Sequence, residues 1–83
     1  MFYVYAISST THNYIYVGIT DNLLRRVDQH QKGYNRTTKP YRPFILIYFE
    51  KADDRKHARS REKHFKTAAG KRKLKLLVSR LMQ

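Results

Sequence analysis

The chain is predicted to fold as an α+β domain: a small three-stranded, mainly antiparallel sheet flanked by three helices, in the order β-β-α-β-α-α. Three observations predict it. Aromatic and β-branched residues cluster at 2–7, 14–19 and 44–49, the composition that suits pleated, half-buried strands. Stretches between and after them open on Asp or Asn and run on without proline, as capped helices do. At 83 residues the chain supports one core, a single domain over 1–83, and no deep enclosed pocket, so any active site should be a shallow groove.

The polar run Ser8-Ser9-Thr10-Thr11-His12-Asn13 separates the first two strands and reads as the turn of a β-hairpin. A turn centred on Thr10 and Thr11 sets Tyr5 opposite Tyr16, with both phenols on one face of the sheet. Thr20-Asp21-Asn22 offers N-cap chemistry for a helix over 23–31, which Gly33 stops. Residues 34–43 hold two prolines together with Asn35, Arg36, Lys39 and Arg42, the makeup of an exposed loop. The third strand is apolar on both faces, which makes it central or covered by helices. Asp53 and Asp54 cap a second helix running to about Lys66, and Gly70 marks a break before a third. In that last helix Leu74, Leu77, Val78 and Leu81 fall on one apolar stripe.

Charge narrows the function. Eighteen Lys and Arg against six Asp and Glu give a formal net charge of +12, and such a surface attracts polyanions and gains free energy by releasing their counterions. A membrane surface is the poorer candidate, because no long amphipathic helix carries a large apolar face. No apolar stretch approaches the ~20 residues of a bilayer span. The opening residues lack a basic leader and a long apolar run, and there is no cysteine for disulfides or thiolate metal sites. These features predict a soluble, cytoplasmic protein whose partner is nucleic acid. Residues 51–83 carry twelve basic and three acidic side chains, +9 of the +12, so that half should do much of the holding.

A few side chains could carry chemistry. From Arg55 onward Glu62 is the only carboxylate among eleven basic residues. It follows Ala58 by four and precedes Phe65 by three, which turns it inward or to the rim. A lone carboxylate beside phosphate suits Mg²⁺, whose shell water and substrate oxygens complete. The alternative is a helix-surface pair with Arg59 or Lys66, worth about 0.3–0.5 kcal/mol. Arg26 and His30, four apart, share a helix face, where an arginine fork can grip phosphate and a histidine can relay a proton. Tyr5 and Tyr16 could include a phenol of lowered pKa that serves as general base, or could simply pack. His12, His57 and His64 do not combine with acids at zinc-site spacing.

Taken in order, these positions resemble the GIY-YIG nucleases. Tyr3-Val4-Tyr5 stands for the first half-motif and Tyr16-Val17-Gly18 for the second. The run from Gly18 through Arg26 to His30 resembles the family's glycine, capped helix, arginine and histidine, and Arg61-Glu62-Lys63 the helix that supplies its acidic metal ligand. Lys39-Pro40-Tyr41-Arg42-Pro43-Phe44 is similar to the small bacterial branch related to the nuclease module of the excinuclease UvrC. Tyr3 replaces the family's first glycine, and no asparagine follows Glu62. The resemblance implies a metal-dependent nuclease acting on nucleic acid, DNA before RNA, selecting substrate shape rather than sequence, with a weakly cleaving or inactive binding module as the alternative. It implies that Tyr5 activates the attacking water and that Tyr16 supports water or phosphate. Arg26 would bind phosphate, His30 would assist by hydrogen bonding or proton relay, and Glu62 would hold one Mg²⁺ or Mn²⁺. Gly18 is expected to permit close packing. Arg25, Arg36, Lys39, Arg42, Arg59, Lys63, Lys66, Lys71 and Arg72 are the cations expected on the nucleic-acid backbone.

Overall fold

A computed structural model of the chain describes residues 1–81. Three strands, β1 (Phe2–Ser9), β2 (Ile15–Thr20) and β3 (Phe44–Ala52), and three helices, α1 (Leu23–Gln31), α2 (Arg55–Phe65) and α3 (Ala68–Leu81), follow in the order β1-β2-α1-β3-α2-α3, and a 3₁₀ turn spans Lys39–Tyr41. The sheet order is β2-β1-β3 with both pairings antiparallel. The expected order and fold class therefore hold. Among the described residues no helix is long and apolar enough to cross a membrane.

β1 is the middle strand, and its period-2 alternation divides the core in two. Val4 and Ala6 face Val17, Ala58, Phe65 and Leu74, the side covered by α2 and α3. Tyr5 and Ile7 face the opposite way, against Phe44, Leu23 and Val27, the side covered by α1. β3, apolar on both faces, is an edge strand rather than a central one; helices on both sides of the sheet account for its composition. Its register against β1 shifts between Ala6 and Ile7, leaving Ile47 without a partner residue.

Caps set the helix ends. The Asn22 side chain accepts the Arg25 N–H to begin α1, and Asp54 accepts the His57 N–H to begin α2. Gly33, at φ +80°, closes α1: its N–H reaches the His30 carbonyl and the Tyr34 N–H reaches that of Gln29, a Schellman closure that only a residue tolerant of positive φ makes freely. Gln31 then pins the helix end to the start of β3, its amide bonding both the N–H and the carbonyl of Phe44 at 2.8 and 2.6 Å.

Four expectations need correction. The hairpin pairs Tyr5 with Gly18 and Ile7 with Tyr16, two residues away from the expected register, because β1 continues to Ser9, whose hydroxyl gathers the N–H groups of Thr11 and His12 at 3.1 and 3.0 Å and moves the turn onward. An even slip preserves facing, so both phenols stay on one side. Gly70 does not break the chain; it lies within α3, and the break falls at Thr67, whose hydroxyl accepts the Gly70 N–H at 3.2 Å. The 34–43 stretch is not uniformly exposed, since Thr38 is fully buried. Leu81 leaves the apolar stripe, at 57% exposure, while Leu74 is buried.

Gly70 is a contact glycine. A Cβ there would strike the His64 carbonyl oxygen and lie 2.5 Å from Phe65 Cα, so the α2–α3 crossing is as tight as two backbones allow. Gly70→Ala should lower unfolding free energy by about 1–3 kcal/mol in urea titrations, the overpacking loss outweighing the helix-propensity gain.

Candidate active site

Tyr5, at the middle of the central strand, is 1% exposed. A phenol buried there needs a partner, and His30, delivered by α1 and itself fully buried, places Nε2 2.8 Å from the Tyr5 hydroxyl. One turn earlier on the same helix face, Arg26 donates Nε–H to the same phenol oxygen at 3.4 Å and Nη1–H to Gln29 at 3.1 Å. The other ring nitrogen, His30 Nδ1, lies 2.8 Å from the hydroxyl of Thr38. Thr38 Oγ1 reaches the Asn35 carbonyl at 3.5 Å, while Asn35 Oδ1 accepts the N–H groups of Thr37 and Thr38.

The chain of bonds has one consistent direction. Burial, with the Arg26 charge adding to it, lowers the His30 pKa to about 4, so the ring is neutral and carries a single N–H. Burial also pushes Tyr5 up to about 12; the Arg26 hydrogen bond and charge oppose this, and Tyr16 and Glu62 reinforce it. Tyr5 therefore keeps its proton at neutral pH and donates to Nε2. His30 Nδ1–H donates to Thr38, Thr38 donates to the Asn35 carbonyl, an acceptor only, and Arg26 supplies the donor to the phenol oxygen. Of the two phenols, one of which could have had a lowered pKa, Tyr5 is shifted the other way: the nearby cation is real, but desolvation outweighs it.

Tyr16 is half-buried on β2, its ring centroid 6.3 Å from that of Tyr5 and 5.1 Å from that of His30. Room for both phenols comes from Gly18, the residue paired with Tyr5: a Cβ there would sit 2.7 Å from the Tyr5 hydroxyl oxygen and 2.9 Å from the Tyr16 ring. The expected packing role of Gly18 is what the geometry gives it.

Glu62 comes from the other side. α2 covers the face opposite α1, and its inward stripe of Ala58, Glu62 and Phe65 is buried, as the spacing predicts, with Glu62 at 8% exposure. Its carboxylate takes Arg59 at 3.3 Å and Lys66 at 3.5 Å, the helix pairs weighed as its alternative role. α2 also packs along β2, the outer strand, and the Glu62 charge acts on the Tyr5 phenol. Tyr5, Tyr16, Arg26 and His30 thus form one contiguous group, while Glu62 sits on α2, bonded to Arg59 and Lys66. Among the described residues, no three His, Cys, Asp or Glu side chains converge as a metal cluster.

The nine cations expected on nucleic acid are all exposed but do not form one patch. Arg25, Arg36, Lys39 and Arg42 lie on α1 and the loop after it, whereas Arg59, Lys63, Lys66, Lys71 and Arg72 lie on α2 and α3. Arg25 pairs with Asp21 at 3.5 Å, and the Arg42 guanidinium lies against Gly33. Thr38 is the residue the sequence reading passed over. Its signal was the Asn35-Arg36-Thr37-Thr38 spacing, an Asx-type turn feeding the Pro40 start of the 3₁₀ turn.

Comparison with known proteins identifies the family. Residues 1–75 match the family described as the GIY-YIG catalytic domain. Curated relatives include a UPF0213 protein of Pediococcus pentosaceus, 42% identical over 77 residues, covering 92% of this chain and 80% of the relative. A UPF0213 protein of Staphylococcus haemolyticus is 34% identical over 79 residues, covering 94% and 95%, and one of Clostridium perfringens is 33% identical over 81, covering 96% and 86%. No solved structure matches.

Because the folded His30 value lies below the ~6.5 of an unfolded chain, protonation favours unfolding: the stability contributed by neutral His30 is complete above about pH 6.5 and is lost as pH falls towards about 4. In NMR titration the His30 ring should titrate with a midpoint about 4. Thr38→Val, which strands Nδ1–H, should shift the ring ¹⁵N signals towards the Nε2–H tautomer and cost about 1–3 kcal/mol in urea unfolding; Thr38→Ser should retain both the tautomer and most of the stability.

Proposed function

This chain belongs to the GIY-YIG family, a membership that implies nuclease activity on nucleic acid, and from it we propose a metal-dependent phosphodiester hydrolase acting on DNA before RNA. The observation that carries the reading is the directional chain from Arg26 through Tyr5 and His30 to Thr38, with the two phenols fitted into the room that Gly18 leaves them. A buried polar chain of this length is more than a strand needs for packing, and it ends on a guanidinium suited to a phosphate.

In this reading Arg26 holds a non-bridging phosphate oxygen and offsets the charge that builds on it in the transition state. Tyr16, the more exposed phenol, orients the attacking water. Tyr5, protonated at rest, acts as a relay: it accepts the water proton on its oxygen as its own proton passes to His30 Nε2, leaving imidazolium and hydroxide equivalent attacking phosphorus. His30, with its pKa near 4, holds that proton only transiently and returns it through Tyr5 to the medium or the leaving oxygen.

A single divalent ion fits the donor set in one way. Glu62 offers a hard carboxylate, and among the described residues no group of three or more His, Cys, Asp or Glu gathers as a metal cluster, which suits Mg²⁺ or Mn²⁺ held between one protein ligand, water and substrate oxygens. Bound there, the ion would supply Lewis-acid stabilisation of phosphate and leaving oxygen. Arg59 and Lys66, the exposed partners of Glu62, can exchange its carboxylate for phosphate when substrate arrives. With cations spread over two faces and aimed at a backbone, we read selection as a matter of substrate shape.

Arg26→Ala and Glu62→Gln should each reduce metal-dependent cleavage about 10²–10³-fold while leaving nucleic-acid affinity within a few-fold, in assays on duplex, nicked, flapped, branched and single-stranded substrates with Mg²⁺ or Mn²⁺. A wild-type protein that binds all of these and cleaves none would replace this reading with that of a binding module.

A further inference from the structure

The outer edge of β2 borders a groove that the proton relay does not use. One wall is the edge strand with the turn before it, from Asn13 to Val17; the other is the α2–α3 junction, which contributes Lys66, Lys71 and Lys75 above Phe65. The groove measures about 390 Å³. A second depression of about 470 Å³ continues it around the β1–β2 turn and shares Asn13, Tyr14 and Lys75. Tyr16 lines the groove and touches the relay, and Lys66 pairs with Glu62, so the near end of the groove opens on the candidate active site.

Its chemistry selects a polyanion of extended form. No carboxylate lines either depression among the described residues, and Lys71 and Lys75 take part in no ion pair there. They stand one helical turn apart on one face of α3, about 6 Å along the axis, close to the repeat of successive phosphates in a nucleic-acid strand. Because β2 is an edge strand, one row of its backbone groups also faces outward. The formal charge of +12 disfavours a second copy of the chain as occupant.

We propose that one strand of the nucleic acid runs from the scissile phosphate along the β2 edge, its phosphates held by Lys66, Lys71 and Lys75. The identity of the occupant rests on the nuclease reading; the location of the track rests on the groove and its lysines. Lys75 was not among the cations expected from sequence, and this track gives it a role.

The test is binding without cleavage: a fluorescent oligonucleotide titrated with the full chain, without divalent metal, across a series of salt concentrations. Lys71→Ala/Lys75→Ala should make the plot of log affinity against log salt shallower by about 1.4–1.8, two phosphate contacts' worth. The matched pair Lys51→Ala/Lys56→Ala, exposed and lining neither depression, should change the slope by less than about a third of that. Equal slopes for wild type and the groove variant, or equal losses in both variants, would overturn the track while leaving the nuclease reading intact. A wild type that cleaves nothing when Mg²⁺ or Mn²⁺ is added to the same oligonucleotides, yet loses slope only in the groove variant, would overturn the nuclease reading and keep the track. Absence of any salt-dependent binding by wild type would remove both.

Discussion

The hydrogen bond between the Tyr5 phenol and His30 Nε2, 2.8 Å long and sealed from solvent, is the constraint on which the rest of the molecule depends. It joins the central strand to α1 where both side chains are almost wholly buried, so each relies on the other and on what lies beyond it. Thr38 must be buried because His30 has a second nitrogen to satisfy. Asn35 must shape the following loop because Thr38 needs its backbone held. Arg26 must cover the phenol from the solvent side. Core packing and a polar hydrogen-bond chain are here the same set of atoms, which suits a chain of 83 residues with so little apolar material.

Helices on both faces of a three-stranded sheet leave chemistry only the edges, and the two edges differ. At β3, Arg61 forks onto Glu50 at 2.7 and 3.0 Å and lies 5.1 Å over the Phe65 ring, while Tyr48 donates to the same carboxylate at 2.7 Å. That edge is closed by a bonded network. At β2 the strand is six residues long, glycine stands where a side chain would block the phenols, and α2 brings a carboxylate alongside. Groups from opposite faces of the sheet can approach one another only around an edge.

Much of this was legible locally. Asn22, Asp54 and Gly33 announce helix ends through chemistry confined to four or five residues, and the observed caps use those side chains and that positive φ. The inward turn of Glu62 followed from its spacing to Ala58 and Phe65. What escaped depends on partners distant in sequence or on a choice among equivalents. Ser8 to Asn13 offers several residues able to nucleate the turn, and the hydroxyl of Ser9 decides among them. A glycine such as Gly70 can end a helix or admit a neighbour, and only the position of His64 and Phe65 selects the second use. Thr38 looked like loop because nothing in its surroundings reveals the imidazole eight residues earlier. The direction of the Tyr5 pKa shift escaped because cations can be counted in a sequence, whereas desolvation cannot.

The two buried or half-buried glutamates show how the molecule separates support from chemistry. Glu50 is gripped: Arg61 bonds both its oxygens at distances normal for charge-assisted pairs, and this fork, despite some burial, holds its carboxyl below the usual carboxylate range. Glu62 is only attended, by Arg59 at 3.3 Å and Lys66 at 3.5 Å, each from a side chain more than half exposed. Pairs of that kind are worth about 0–1 kcal/mol, which a phosphate can readily displace. A carboxylate meant to stabilise the fold would be held as Glu50 is. One held only by exposed side chains at longer distances, as Glu62 is, remains free to change partners.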